Sequence, residues 1–207
     1  MPAEATVHVI DDDDAARDSL AFLLRTASIP VRSYASAEQF LEALPVENGC
    51  VVTDIRMPGM TGIELMGRLT QLGVNMPVIV MTGHGDVPLA VEAMKSGASD
   101  FLEKPFDDET MLTAINAALN RHRHEDAREA EKREIAERLA TLSNRERQVL
   151  EGLILGHPNK TIGYDLGISA RTIEIYRANV MSKMGASSLS DLVRMAIVAG
   201  VTATQQK

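Results

Sequence analysis

Val7-His8-Val9-Ile10-Asp11-Asp12-Asp13-Asp14 is an apolar run that stops at four acids, and Ala15 to Ala27 behind it repeats Leu20, Leu23 and Leu24 at helical spacing. A buried strand followed by an amphipathic helix is the repeating unit of the first half. Val31–Tyr34, Cys50–Thr53, Val78–Met81 and Asp100–Glu103 read as four further strands. Ser36–Leu44, Gly62–Leu72, Asp86–Ser96 and Asp107–Asn120 read as helices, with Asp86 as a candidate N-cap and Pro88 in the first turn. Parallel strands need crossover connections, so this alternation predicts a flavodoxin-like α/β fold: a five-stranded parallel sheet of order 2-1-3-4-5 with helices on both faces. Ligands in such sheets sit beyond the carboxyl ends of the strands, where the strand order reverses. Asp11-Asp12, Asp54, Thr82 and Lys104-Pro105 stand at four of those ends.

The chain has 207 residues, 45% of them hydrophobic and 24% charged, which supplies a core and excludes a disordered composition. One Cys excludes an internal disulfide and a cysteine zinc finger, and Cys50, on an apolar strand, reads as core. No window approaches the roughly 20 apolar residues of a membrane span, no secretory leader is visible, and the cytoplasm is the expected compartment. With no Trp and 3% aromatic residues, a base-stacking groove for single strands is not expected. Charge divides along the chain. Residues 1–124 carry 9 Lys and Arg against 18 Asp and Glu, net −9; residues 125–138 carry 4 against 6, net −2; residues 139–207 carry 8 against 5, net +3. Two domains with different partners are the expectation, the second able to approach a polyanion.

In residues 121–138, 12 of 18 side chains are charged and neither Pro nor Gly intervenes, which reads as a charged helical linker supported by Glu129–Arg133 and Glu134–Arg138 pairs. Its apolar positions are sparse for a coiled-coil seam, so a solvated rod is the leading reading, with dimerisation through it left open. His122 and His124 read as solvated side chains. Residues 139–207 form an all-α pattern of four helices: Arg145–Leu155, Asn159–Leu166, Ala170–Met184 and Leu189–Ala199. The second and third are joined by Gly167-Ile168-Ser169, a short turn with a capping Ser, as in a helix-turn-helix.

Asp13 and Asp14 suit a helix start. Asp54 ends a different strand beside Asp11 and Asp12, and carboxylates so gathered repel one another unless a cation joins them. Mg²⁺, a small hard ion held by one or two carboxylates and able to gather phosphoryl oxygens, answers that need. A phosphoryl group arriving on Asp54 would find a point charge on Lys104, a hydroxyl on Thr82 beside flexible Gly83, and the backbone N–H that follows the nucleophile.

Asp11-Asp12, Asp54 followed by Met57-Pro58-Gly59, Thr82-Gly83 and Lys104-Pro105-Phe106 resemble the receiver domain of two-component response regulators over about residues 5–120. The resemblance implies that Asp54 is the phospho-acceptor and that Asp12, Asp54 and the Arg56 backbone carbonyl ligate Mg²⁺, with Asp11 acting through water. It also implies that Thr82 and Lys104 contact the phosphoryl group. Phe101 stands where such domains carry a switch aromatic; a plain core residue of the fifth strand is the other reading. His84 reads as a loop side chain.

Leu142-Ser143-Asn144-Arg145-Glu146-Arg147, Asn159-Lys160-Thr161-Ile162 and Thr172-Ile173-Glu174-Ile175-Tyr176-Arg177 resemble the DNA-binding domain of the LuxR/FixJ group over about residues 140–200. Helical spacing turns Ile173, Val180 and Met184 inward and leaves Arg171, Thr172, Glu174, Ile175 and Ala178 as candidates for the DNA face. Glu174 is useful there only by accepting from a cytosine N4 amino group, while Lys160, Arg171, Arg177 and Lys183 are candidates for phosphate contacts. Gly163 stands inside the second helix of the domain where the group often has Ala, and Asn144 replaces a common Pro. Gly163 costs about 1 kcal/mol of helix propensity unless close packing needs it.

Joined in this order, a receiver over 1–120, a linker over 121–138 and a helix-turn-helix domain over 139–207 resemble FixJ-type transcriptional activators. The implied partners are a sensor histidine kinase as phosphodonor, double-stranded promoter DNA, RNA polymerase and, on phosphorylation, a second copy of the chain. The resemblance implies no enzyme beyond a receiver that assists its own phosphorylation and dephosphorylation. An Asp-nucleophile hydrolase uses the same metal chemistry but needs a substrate pocket and a second general acid, neither visible in the sequence. A constitutive DNA binder with a docking receiver is the remaining alternative.

Overall fold

The computed structural model describes residues 5–46, 48–83 and 87–201. The chain divides into two compact units, Met1–Glu125 and Asp126–Lys207. The expected N-cap Asp86 and the loop residue His84 lie outside the described residues.

The first unit has five parallel strands, β1 (Thr6–Ile10), β2 (Val31–Tyr34), β3 (Gly49–Asp54), β4 (Val78–Thr82) and β5 (Asp100–Glu103), in the order 2-1-3-4-5. Helices α1 (Asp14–Thr26), α2 (Ala37–Glu42), α3 (Gly62–Gln71), α4 (Val87–Lys95) and the start of α5 (Asp108–Ala140) connect and follow them. Side chains on alternate strand positions feed two cores. Ile10, Val51 and Val80 pack with Phe40 and Leu65 on one face, and Val9, Val52 and Ile79 pack with Leu24, Met111 and Ile115 on the other. Cys50 is buried in the second of these cores, which pushes its thiol up to about 12.

Local chemistry sets the helix starts. Asp13 caps α1 by accepting from Ala15 N at 2.8 Å and Ala16 N at 3.2 Å, and Ser36 caps α2. Thr61 and Glu64 close a capping box at α3. The last sheet helix does not stop at Asn120, since neither Gly nor Pro interrupts the chain, and α5 runs unbroken to Ala140. Of the two expected linker ion pairs, Glu134–Arg138 forms at 2.6 Å, whereas Glu129 takes Lys132 instead at 2.6 Å. His122 is buried rather than solvated.

The second unit contains the last part of α5 with α6 (Asn144–Ile154), α7 (Asn159–Leu166), α8 (Ala170–Met184) and α9 (Leu189–Val198). Val149, Leu153, Ile162, Ile173, Val180, Met184 and Leu192 form its core, joined by Ile135 and Leu139 of α5. The acidic and basic run before residue 140 is therefore an amphipathic edge of this unit over its last turns, not a rod solvated on every side. Gly163 has a packing reason: a Cβ there would stand 2.7 Å from the Ile168 carbonyl oxygen, where the turn backbone passes α7.

Candidate functional site

In the first unit, strand register assembles the rim. Ile10 pairs with Thr53, so Asp11 and Asp54 leave neighbouring strand ends side by side. Asp54 pairs with Met81 and Thr82 with Glu103, which brings Thr82 and Lys104 to the same edge; Lys104 N donates to Thr82 O at 2.8 Å. A Cβ on Gly62 would stand 2.4 Å from the Asp54 carbonyl oxygen, so a glycine lets α3 begin directly behind the acceptor strand.

The Lys104 ammonium donates to Asp54 Oδ1 at 2.6 Å and to Asp11 Oδ2 at 2.8 Å. The other Asp54 oxygen, Oδ2, accepts from the Arg56 backbone N–H at 2.7 Å, and Asp11 Oδ1 accepts from Asp13 N at 2.9 Å. Burial pushes the Asp54 carboxyl above its usual range, aided by the nearby Asp11 charge, against the opposing pull of Lys104 and the Arg56 N–H. Burial lowers Lys104, but its bonds to Asp11 and Asp54 outweigh this and raise it. Thr82 is buried at the end of β4. Asp12 is exposed, and among the described residues no three His, Cys, Asp or Glu side chains stand close enough to hold a metal. The structure thus brings Asp11, Asp54 and Lys104 together and leaves Asp12 at the rim.

This donor set suits Mg²⁺ in type and charge. It offers hard carboxylate oxygens, and a single lysine cation faces two sheltered carboxylates, so Asp54 still resists ionisation. Arg17 was not legible as part of the site. Its guanidinium donates to the Asp11 carbonyl oxygen at 2.7 Å and pairs with Asp14; the i,i+3 spacing of Asp14 and Arg17 was the available signal. Phe101 is 43% exposed on β5, which rules out the plain core reading, and Val91 and Met94 of α4 are exposed apolar residues as well.

In the second unit, α7, the left-handed Gly167 and the Ser169 cap set the start of α8. Ile173, Val180 and Met184 are buried, as the helical spacing predicts, and Lys160, Arg171, Glu174, Ile175 and Ala178 are exposed. Arg177 is half-buried. Thr172 uses its hydroxyl in the cap, 2.8 Å from Ser169 Oγ. Ile175 at 60% and Tyr164 at 88% exposure are apolar side chains kept in solvent on adjacent helices of this motif. Lys183 differs from the other cations: its ammonium donates to Glu146 Oε2 at 2.7 Å and to Thr141 O at 3.3 Å.

The response regulator receiver domain matches residues 7–116, and the luxR family of bacterial regulatory proteins matches residues 140–196. The chain is 59% identical to the transcriptional regulatory protein FixJ of Azorhizobium caulinodans, over 97% of this chain and 96% of that one. It is 53% identical to FixJ of Rhizobium meliloti, over 94% and 96%. Among solved structures, full-length FixJ from B. japonicum superposes with a TM-score of 0.63 at 54% identity, covering 96% of this chain and 98% of that one. The response regulator StyR superposes at 0.80 with 40% identity, over 94% and 99%. No described helix is long and apolar enough to cross a membrane. The chain belongs to the two-component response regulators of the FixJ type, transcription regulators in which a receiver domain precedes a luxR-family domain.

Proposed function

We propose that this regulator accepts a phosphoryl group from a sensor histidine kinase onto Asp54 and, so modified, binds promoter DNA as a homodimer and activates transcription with RNA polymerase. The observation that carries the reading is the state of Asp54: one carboxylate oxygen on the Lys104 ammonium at 2.6 Å, the other on the Arg56 N–H at 2.7 Å. In the transfer, the P–N bond of the donor phosphohistidine breaks as a P–O bond to Asp54 forms, and the imidazole leaves with the electron pair. Lys104 balances the charge on the equatorial oxygens, and the Thr82 hydroxyl donates to one of them. Asp12, Asp54 and the Arg56 carbonyl would hold Mg²⁺, with Asp11 acting through water; the ion supplies charge neutralisation and phosphoryl alignment when bound.

Drawing Thr82 toward the phosphoryl group vacates space for Phe101, whose inward turn reshapes the β4–β5 face and the neighbouring α4, which carries Val91 and Met94, and two receivers associate there. In the DNA-binding domain, Glu174, Ile175 and Ala178 of α8 face base edges, and Lys160, Arg171 and Arg177 contact phosphates. The test is incubation with acetyl phosphate and Mg²⁺, followed by intact mass, sedimentation and DNA titration. One acid-labile adduct, absent from Asp54→Asn, together with dimerisation and tighter DNA binding is expected. Adduct without either change removes the switch, and multiple turnover of phosphate esters without adduct removes the reading altogether.

A further inference from the structure

Glu146 is 4% exposed although it is an acid in the first turn of α6. It closes the α6 capping box, with Oε2 accepting from Ser143 N at 2.7 Å, and the same oxygen accepts from Lys183 of α8 at 2.7 Å. The Lys183 ammonium also reaches the Thr141 carbonyl oxygen at 3.3 Å. One residue further along α8, the Met184 carbonyl, at a helix end where the ladder leaves acceptors without partners, accepts from Arg138 Nη1 at 2.7 Å. Gly185 leaves room for that guanidinium, since a Cβ there would stand 2.6 Å from Arg138 Nη1. Two cations thus tie the last turn of α8 to the end of α5 and the start of α6, and both complement the negative end of the α8 dipole.

We infer that Lys183 is a positioning residue for DNA recognition and not a phosphate contact: with Arg138 it anchors the last turn of α8 and sets the angle at which Glu174, Ile175 and Ala178 reach the bases. The inference rests on the DNA-binding reading proposed above. Turning Lys183 toward a phosphate would strip a sheltered carboxylate of its counter-charge, which is unfavourable. Arg171 and Lys183 are twelve residues apart, about 18 Å along a helix, so a tilt of about 5° at the anchor moves the reading end by about 1.5 Å. That displacement exceeds what base-edge hydrogen bonds tolerate, whereas contacts to a uniform phosphate backbone adapt.

The experiment uses the full-length protein and two duplexes, one selected by the wild type from a randomised pool and one unrelated duplex of equal length, titrated across a salt series. Lys183→Met is expected to weaken binding to the selected duplex by about tenfold, with the unrelated duplex within about twofold and the salt slope unchanged. Glu146→Gln leaves the Lys183 charge free. The inference expects it, too, to lose affinity for the selected duplex alone, whereas a phosphate-contacting Lys183 would bind both duplexes as well or better. Loss on both duplexes with the slope smaller by about one would overturn the inference in favour of a phosphate contact. An equal loss on both with the slope intact, accompanied by a lower melting temperature, would reduce the pair to folding alone, and unchanged affinities would also overturn it. A wild type that selects no duplex from the pool would sink the DNA-binding reading itself and this inference with it, an outcome distinct from all the others.

Discussion

The Lys104 ammonium stands 2.6 Å from Asp54 Oδ1, although 50 residues separate the two in the chain, and it is the charge that makes the acceptor carboxylate tolerable where burial disfavours it. The same nitrogen holds Asp11, so one cation is shared between two acids. The site is therefore short of positive charge before any phosphoryl group arrives.

Lys104→Met removes that shared cation. The variant is expected to lose about 1–3 kcal/mol of receiver stability, from two sheltered carboxylates left without a charged donor, and to accept phosphoryl from acetyl phosphate far more slowly. Chemical denaturation and intact-mass time courses check the two effects separately.

Mg²⁺ should stabilise the folded receiver because only folding sets the Asp11 and Asp54 carboxylates side by side at neighbouring strand ends. At a hundredfold excess over its dissociation constant it adds about 2.7 kcal/mol. Calorimetry with Mg²⁺ against EDTA is expected to show a higher unfolding midpoint in the wild type and little change in Asp54→Ala.

The two units respond to acid with opposite signs at these groups. Glu146 is held down to about 2 by the Lys183 ammonium and the Ser143 N–H, against an ordinary 4.5. Its contribution is complete above the ordinary value and disappears as pH falls toward 2. Asp54 is raised, so between its ordinary value and its folded one the native state binds more protons and stability falls as pH rises. Carboxyl carbon NMR titration checks both; in Lys183→Met the Glu146 midpoint is expected to move upward, and an unmoved midpoint would refute the pairing.

Gly62→Ala places a methyl group 2.4 Å from the Asp54 carbonyl oxygen, a contact with backbone that no rotamer relieves. The expected outcome is a loss of about 1–3 kcal/mol in stability and slower phosphorylation, because the acceptor strand must shift. Thermal unfolding and adduct formation measured on one preparation test the linkage.

Glu174→Ala is expected to relax base preference at one position of the selected duplex, where the wild type discriminates by about 1–3 kcal/mol in favour of a C·G pair. Binding to the other sequences should tighten slightly as an acid leaves the phosphate field. Preference unchanged at every position would remove Glu174 from base readout.

The order of elements, the parallel sheet and its strand sequence, the four C-terminal helices and the set Asp11, Asp54, Thr82 and Lys104 were all legible in the amino-acid sequence. They depend on short-range periodicity and on one topological rule about where strands end, and a chain displays both openly. Tertiary structure decided which partner each polar group takes. Lys183 and Lys160 are indistinguishable by residue type, yet a fold that delivers Glu146 against α8 occupies the first, while Lys160 remains in solvent. Phe101, for which the strand left a core reading beside the switch aromatic, is exposed, and His122 reads as solvated from its charged neighbours and is buried. For Lys183 the deciding contact joins residues 37 apart in the chain, so its energy appears only once packing has brought them together.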